Sequence, residues 1–173
     1  MALIVEDGTG ISGAESYASL ADANTYWNGR QHSSHYTSWN GASTAQKEGA
    51  LREASAYLDA VYGPYYRGNR RGYIQGLLWP RSDATDDRGY ELPALPDCLV
   101  NACYELAARA IDGQLAEDLD RGGAVKREKV GPIEVEYADS APVRKTYGAV
   151  NVALSPILNG SQPSAPNANW NWA

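Results

Sequence analysis

The run Leu99-Val100-Asn101-Ala102-Cys103-Tyr104-Glu105-Leu106-Ala107-Ala108-Arg109-Ala110-Ile111-Asp112-Gly113 decides the fold. Leu99, Ala102, Cys103, Leu106, Ala107, Ala110 and Ile111 recur at the spacing that lines one face of a helix, and Gly113 supplies a stop. This predicts a helix at the centre of the core. Working outward, Ser43 and Gln46 form a capping box ahead of an apolar stripe, Ala50, Leu51, Ala54, Tyr57, Leu58 and Val61, that ends at Gly63-Pro64. A second helix is predicted over about 44–62. Ser19 with Asp22 caps a third, over roughly 20–31, that carries Leu20, Ala23, Tyr26 and Trp27. A short helix is predicted over Tyr147 to Leu154, broken near Pro156.

Between these helices the signals change. Residues 31–42 are rich in Ser, His, Asn and Gly and read as a surface loop, with Tyr36 and Trp39 as anchors. Gly68, Gly72, Gly76, Pro80 and Gly89 punctuate 65–92, which predicts irregular structure with one helical turn near Tyr73 to Leu77, and with Leu77, Leu78 and Trp79 plugging the core. Ala2 to Val5 reads as a short strand or arm, and Leu115 to Leu119 as a short amphipathic turn. Around Gly131-Pro132, the alternation of Ile133, Val135 and Tyr137 against Glu134 and Glu136 predicts a β-hairpin over about 124–137. Lys126, Arg127 and Lys129 on its first strand then lie opposite the two glutamates, a cross-strand pairing of opposite charges. A lone hairpin is marginal in water and needs a helix or a neighbouring subunit to lean on. From Thr146 to Ala173 there is no charged side chain, and the Pro-, Asn- and Ser-rich stretch from Asn159 cannot build a core of its own. Its end carries Trp170 and Trp172. The expected class is therefore mainly α: a small helical bundle with a projecting hairpin, one domain over 1–158, and an extended arm over 159–173, flexible or bound to a partner.

The bulk composition narrows the function. Lys plus Arg number 15 and Asp plus Glu 21, giving a net charge of −6, which disfavours a general nucleic-acid binder. Cys98 and Cys103, five apart on one helix, point about 140° apart and are too distant for a disulfide, so free thiols are expected, as in a reducing cytosol. The N-terminal apolar run is short and lacks a basic flank, and no long apolar stretch follows. A soluble chain made in the cytoplasm, with no membrane partner, is expected.

Catalytic and metal chemistry find little support. Gly8-Thr9-Gly10-Ile11-Ser12-Gly13 has no Lys and no strand-to-helix setting, so it reads as a flexible loop and not as a phosphate cradle. His32 and His35 have ligand-like spacing but no third ligand nearby, which favours a solvated loop over zinc. Asp83, Asp86 and Asp87 lack the spacing and the final Glu of a calcium loop and read as a turn. There is no Gly-x-Ser-x-Gly elbow, and no acid pair stands out. No catalytic residue, metal or cofactor is predicted. The one basic island, Arg67, Arg70, Arg71 and Arg81, is interleaved with Tyr65, Tyr66, Tyr73 and Trp79. Such a pattern serves single-stranded DNA by stacking bases and neutralising phosphates, with Arg67, Arg70, Arg71, Tyr66 and Trp79 as its residues. The competing reading has the arginines pairing with acidic residues while the aromatics pack.

Several stretches taken together resemble a family of tailed-phage and prophage proteins. They are Met1-Ala2-Leu3-Ile4-Val5-Glu6-Asp7-Gly8-Thr9-Gly10, Ser16-Tyr17-Ala18-Ser19-Leu20-Ala21-Asp22-Ala23, Leu78-Trp79-Pro80-Arg81 and, above all, Val125-Lys126-Arg127-Glu128-Lys129-Val130-Gly131-Pro132-Ile133-Glu134-Val135-Glu136-Tyr137. The resemblance covers most of the chain to about residue 158. It implies a head-tail connector, or adaptor: a structural, non-enzymatic subunit of a homo-oligomeric ring of about a dozen copies in the phage neck. Its implied partners are the portal protein, a tail-side neck or tail-terminator protein, and transient, non-specific DNA in the channel. It would be assembled in the host cytoplasm. Some members of the family are described instead as single-stranded DNA-binding proteins similar to a primosomal protein. On the connector reading, Val125, Arg127, Lys129, Ile133, Val135 and Tyr137 of the hairpin, with Trp170 and Trp172 of the tail, are the expected subunit or portal interface.

Overall fold

The computed structural model describes residues 2–116, 127–130, 133–136 and 147–160. Among the described residues five α-helices carry the fold: α1 (Leu20–Asn28), α2 (Ser34–Gly41), α3 (Thr44–Tyr62), α4 (Asp97–Asp112) and α5 (Gly148–Leu154). Two antiparallel strand pairs accompany them, β1 (Asn69–Arg70) with β2 (Arg81–Ser82), and β3 (Arg127–Val130) with β4 (Ile133–Glu136). The protein is mainly α.

The most extensive contact is between α3 and α4. Leu51 and Leu58 of α3 and Leu99 and Leu106 of α4 are wholly buried, each worth roughly 1.5–3 kcal/mol over an exposed position. Small side chains let the two helices approach: the Ser55 hydroxyl lies 3.3 Å from Cys103 Sγ and also accepts the Tyr17 backbone N–H at 3.0 Å. Cys103 is buried and Cys98 half-buried, both as free thiols. The predicted caps are present. Ser43 Oγ accepts the Gln46 N–H while Gln46 Oε1 accepts the Ser43 N–H at 2.9 Å, and Ser19 Oγ accepts the Asp22 N–H at 3.1 Å.

One helix was not expected. Residues 34–41, predicted as loop, form α2, capped by Ser33, whose Oγ accepts the His35 N–H at 3.3 Å. Its sequence is polar because Trp39 is its only buried residue. Contacts outside the helix hold it: the Trp39 indole donates to Asn24 Oδ1 at 3.0 Å, and Lys47 donates to the same oxygen at 3.3 Å. The loop at 8–13 also differs from expectation. Instead of hanging free it wraps the buried Glu6 carboxylate, whose Oε1 accepts the N–H groups of Gly8 and Gly10 at 2.9 and 2.8 Å and whose Oε2 accepts that of Ile11 at 2.9 Å.

At the other end of the chain α5 packs on α4, and the Tyr62 hydroxyl donates to Asn151 Oδ1. Residues 157–159 then run antiparallel to 65–67, with Arg67 N–H donating to the Ile157 carbonyl at 3.0 Å and Asn159 N–H to the Tyr65 carbonyl at 2.6 Å. This tie brings the C-terminal segment to the start of the basic island. In the predicted hairpin, β3 and β4 pair with Arg127 opposite Glu136, Lys129 opposite Glu134, and Val130 opposite Ile133. No helix among the described residues is long and apolar enough to cross a membrane.

Candidate nucleic-acid interface

The basic island folds as a hairpin of its own, in which Asn69 pairs with Ser82 and Arg70 with Arg81. Gly68 makes this possible. Its φ is +71°, and a Cβ there would lie 2.4 Å from the Ser82 carbonyl oxygen. The loop between the strands does not form the helical turn predicted near Tyr73 to Leu77. A ring of hydrogen bonds to one buried side chain replaces it. Gln75 Oε1 accepts the Gly72 N–H at 2.7 Å, and its Nε2 donates to the carbonyls of Leu77 and Pro80 at 2.8 and 3.1 Å. Arg71 N–H also reaches the Pro80 carbonyl, at 3.2 Å, and Gly76 N–H the Ile11 carbonyl, at 3.0 Å. The loop therefore lies against the 8–14 segment, so closely that a Cβ on Gly76 would sit 2.5 Å from the Ala14 oxygen.

Its base is tied to the core. Asp59 of α3 accepts the Leu78 N–H at 2.9 Å and the Tyr17 hydroxyl, which in turn accepts the Trp79 N–H at 3.2 Å. Burial pushes the Asp59 carboxyl up to about 6, against the pull of these donors and of Arg70 and Arg81. The Trp79–Pro80 peptide is cis.

The five island residues expected to bind DNA have different fates. Trp79 is 0% and Tyr66 3% exposed; they pack edge to face in the core, 6.0 Å between centroids, so neither ring offers a face for a base. This corrects their expected stacking role. Arg67 turns inward, donating to the Leu158 and Thr85 carbonyls at 3.0 and 3.1 Å and pairing with Asp87. Arg81 does the same more fully, with carbonyls of Arg67 at 2.7 Å, Gly68 at 2.6 Å, Leu78 at 3.4 Å and Tyr66 at 3.5 Å. These two arginines mainly staple backbone, and of the acid pairing expected on the competing reading the Arg67–Asp87 pair is present. Arg70 and Arg71 remain exposed, each with one described guanidinium bond, to the Gln75 carbonyl and to the Gly8 carbonyl at 3.2 Å respectively.

Two residues outside the five expected to bind DNA complete the surface. Tyr73 is 96% and Ile74 73% exposed, at the tip of the pinned loop. Their signal in the sequence is the pair of bracketing glycines, Gly72 and Gly76, inside an arginine-rich stretch. The predicted Asp-rich turn is present: Asp86 Oδ1 accepts the N–H groups of Arg88 and Tyr90 at 2.9 and 2.8 Å. His35 Nδ1 lies 3.3 Å from Asp112 Oδ2, and among the described residues no group of three or more His, Cys, Asp or Glu could hold a metal ion. Of the expected interface, Arg127, Lys129, Ile133 and Val135 lie in β3 and β4. Val125, Tyr137, Trp170 and Trp172 lie outside the described residues.

Compared with known families, the chain matches over residues 1–169 a family described as "Putative DnaT-like ssDNA binding protein". The chain belongs to this family. The match runs through the arginine loop and both hairpin strands and continues past residue 158, where the resemblance in the sequence was expected to fade, stopping just short of Trp170. Neither the curated proteins nor the solved structures gave a match.

Proposed function

We propose that this chain is a non-catalytic, DNA-contacting protein that engages single-stranded DNA through the loop between β1 and β2. The observation that carries this reading is the fully presented Tyr73 ring, held on a pinned loop beside the exposed Arg70 and Arg71. An aromatic face beside guanidinium groups is what sequence-tolerant single-strand binding uses. The family's description supports the same reading. Two exposed cations on a chain of net charge −6 make a weak site. The test is fluorescence anisotropy of a labelled oligothymidine at low salt, with the same sequence as duplex for comparison. Binding of the single strand that Tyr73→Ala weakens supports the reading, and equal binding by that variant refutes it.

A second reading, a head-tail connector ring, is favoured by the acidic balance and by the inward turn of Arg67 and Arg81. Together they leave a wall past which DNA can slide without being held. The Val125 to Tyr137 motif adds its resemblance to tailed-phage proteins. On this reading the partners are the portal, a tail-side neck or tail-terminator protein and further copies of the chain, and the location is the virion neck. Its interface would be the hairpin with Trp170 and Trp172. An image of the phage neck containing this chain would support it. A particle that assembles normally with Trp170→Ala and Trp172→Ala would remove the tail from it.

A further inference from the structure

α5 carries its polarity the wrong way round for a surface helix. Its one polar side chain, Asn151, is on the buried side with Val150 and Leu154, and its Oδ1 accepts the Tyr62 hydroxyl. The outward positions, Gly148, Ala149, Val152 and Ala153, with Pro156 just beyond the helix, are exposed and apolar. Even the hydroxyl of the neighbouring Ser155 turns back, donating to the Val152 carbonyl at 2.9 Å. α4 shows the usual arrangement, with Asp97, Asn101, Glu105 and Arg109 repeating every fourth residue along its outer side. A helix that is apolar all round is normally covered. Val152 is 75% exposed, and among the described residues it is the one large apolar side chain strongly exposed on a helix.

We infer that this face is the seat of the chain's own C-terminal segment, residues 161–173, with the indoles of Trp170 and Trp172 laid against Val152, Ala153 and Pro156. The inference is independent of the DNA-binding reading. Composition matches the two surfaces: from Thr146 to Ala173 there is no charged side chain, so their contact desolvates none. The point of departure also suits it. The chain is held against 65–67 as far as Asn159, and Gly160 then takes a left-handed conformation, φ +64°, which breaks that extended course within a few residues of α5. Reach is ample, because the ten residues from Gly160 to Trp170 can span roughly 33–36 Å and the seven residues of α5 extend only about 10 Å. Closing so short a loop within one chain avoids the entropy lost when two molecules associate.

The experiment uses the full chain. With all chains isotopically labelled, the indole protons of Trp170 or Trp172 are expected to show nuclear Overhauser contacts to the Val152 methyls, and in a mixture of labelled and unlabelled chains those contacts should stay within one chain. Contacts found only between differently labelled chains overturn the inference in favour of a second copy as the occupant, and contacts of neither kind overturn it outright. Acrylamide quenching of tryptophan fluorescence is the second readout. Trp27, Trp39 and Trp79 are at most 2% exposed, so of the five indoles the two in the tail report on it. Both should be shielded in the unsubstituted chain and become quenchable in Val152→Asp, which sets a charge on the face at an exposed position with little effect on folding. Tail indoles already open to quencher in the unsubstituted chain, or no gain in Val152→Asp, overturn the inference.

Discussion

The Tyr17 hydroxyl donates to the Asp59 carboxylate and accepts the Trp79 N–H at 3.2 Å, while the other oxygen of Asp59 accepts the Leu78 N–H at 2.9 Å. A phenol from the N-terminal segment and an acid from α3 thus clamp the two residues where the exposed loop returns to the core. This clamp ties the base of the Tyr73 loop to the core while its tip stays exposed.

The clamp has a pH signature. Burial raises the Asp59 carboxyl from 3.8 to about 6, so the folded state binds its proton more readily than the unfolded chain does. The favourable contribution is complete below about pH 4 and is lost as pH rises to about 6, an effect on the order of 2–3 kcal/mol. Denaturant unfolding of the unsubstituted chain and of Asp59→Asn at pH 4.5 and 7.5 measures it. The difference in stability between the two should shift in favour of the variant at the higher pH.

Glu6→Gln should destabilise the N-terminal loop. The carboxylate accepts three backbone N–H groups with two oxygens, and an amide at this position turns a donor toward one of them. A buried N–H left facing a donor costs about 1–3 kcal/mol. A lower Tm, together with faster hydrogen exchange at Gly10 and Ile11, is the expected result.

Arg81 and Arg70 are cross-strand partners with different work, and substitution should separate them. Arg81→Ala removes a guanidinium shared by four carbonyls and should cost about 2–4 kcal/mol of stability. Arg70→Ala, at an exposed position, should change stability by less than about 1 kcal/mol while weakening DNA binding. Thermal unfolding and anisotropy on the same two variants check both halves.

How much of this was legible in the sequence depended on whether the determinant was local. α3 and α4 announced themselves because their apolar spacing is local to each helix, with a capping box ahead of α3 and Gly113 closing α4. The register of β3 and β4 followed from period-two alternation around Gly131-Pro132. α2 was missed because its stability comes from Asn24 and Lys47, outside the helix, acting on a single buried tryptophan. The basic island was recognised, but its composition could not say which arginines turn inward. Arg81 finds carbonyls exposed by its own hairpin, a consequence of the turn at Gly68 and not of any charge pattern. Tyr66 and Trp79 stand in the same arginine-rich stretch as Tyr73, but they pack against each other in the core while Tyr73 is exposed, a difference of tertiary packing that composition does not carry.

The most direct test of the account is the salt dependence of single-strand binding by the full chain. Two phosphate contacts on single-stranded DNA predict a slope of log K against log salt of about −1.4, falling to about −0.7 in Arg70→Ala or Arg71→Ala. A slope far steeper than this, unchanged in both variants, or no detectable binding at the lowest salt, would contradict the assignment of this loop as the DNA contact.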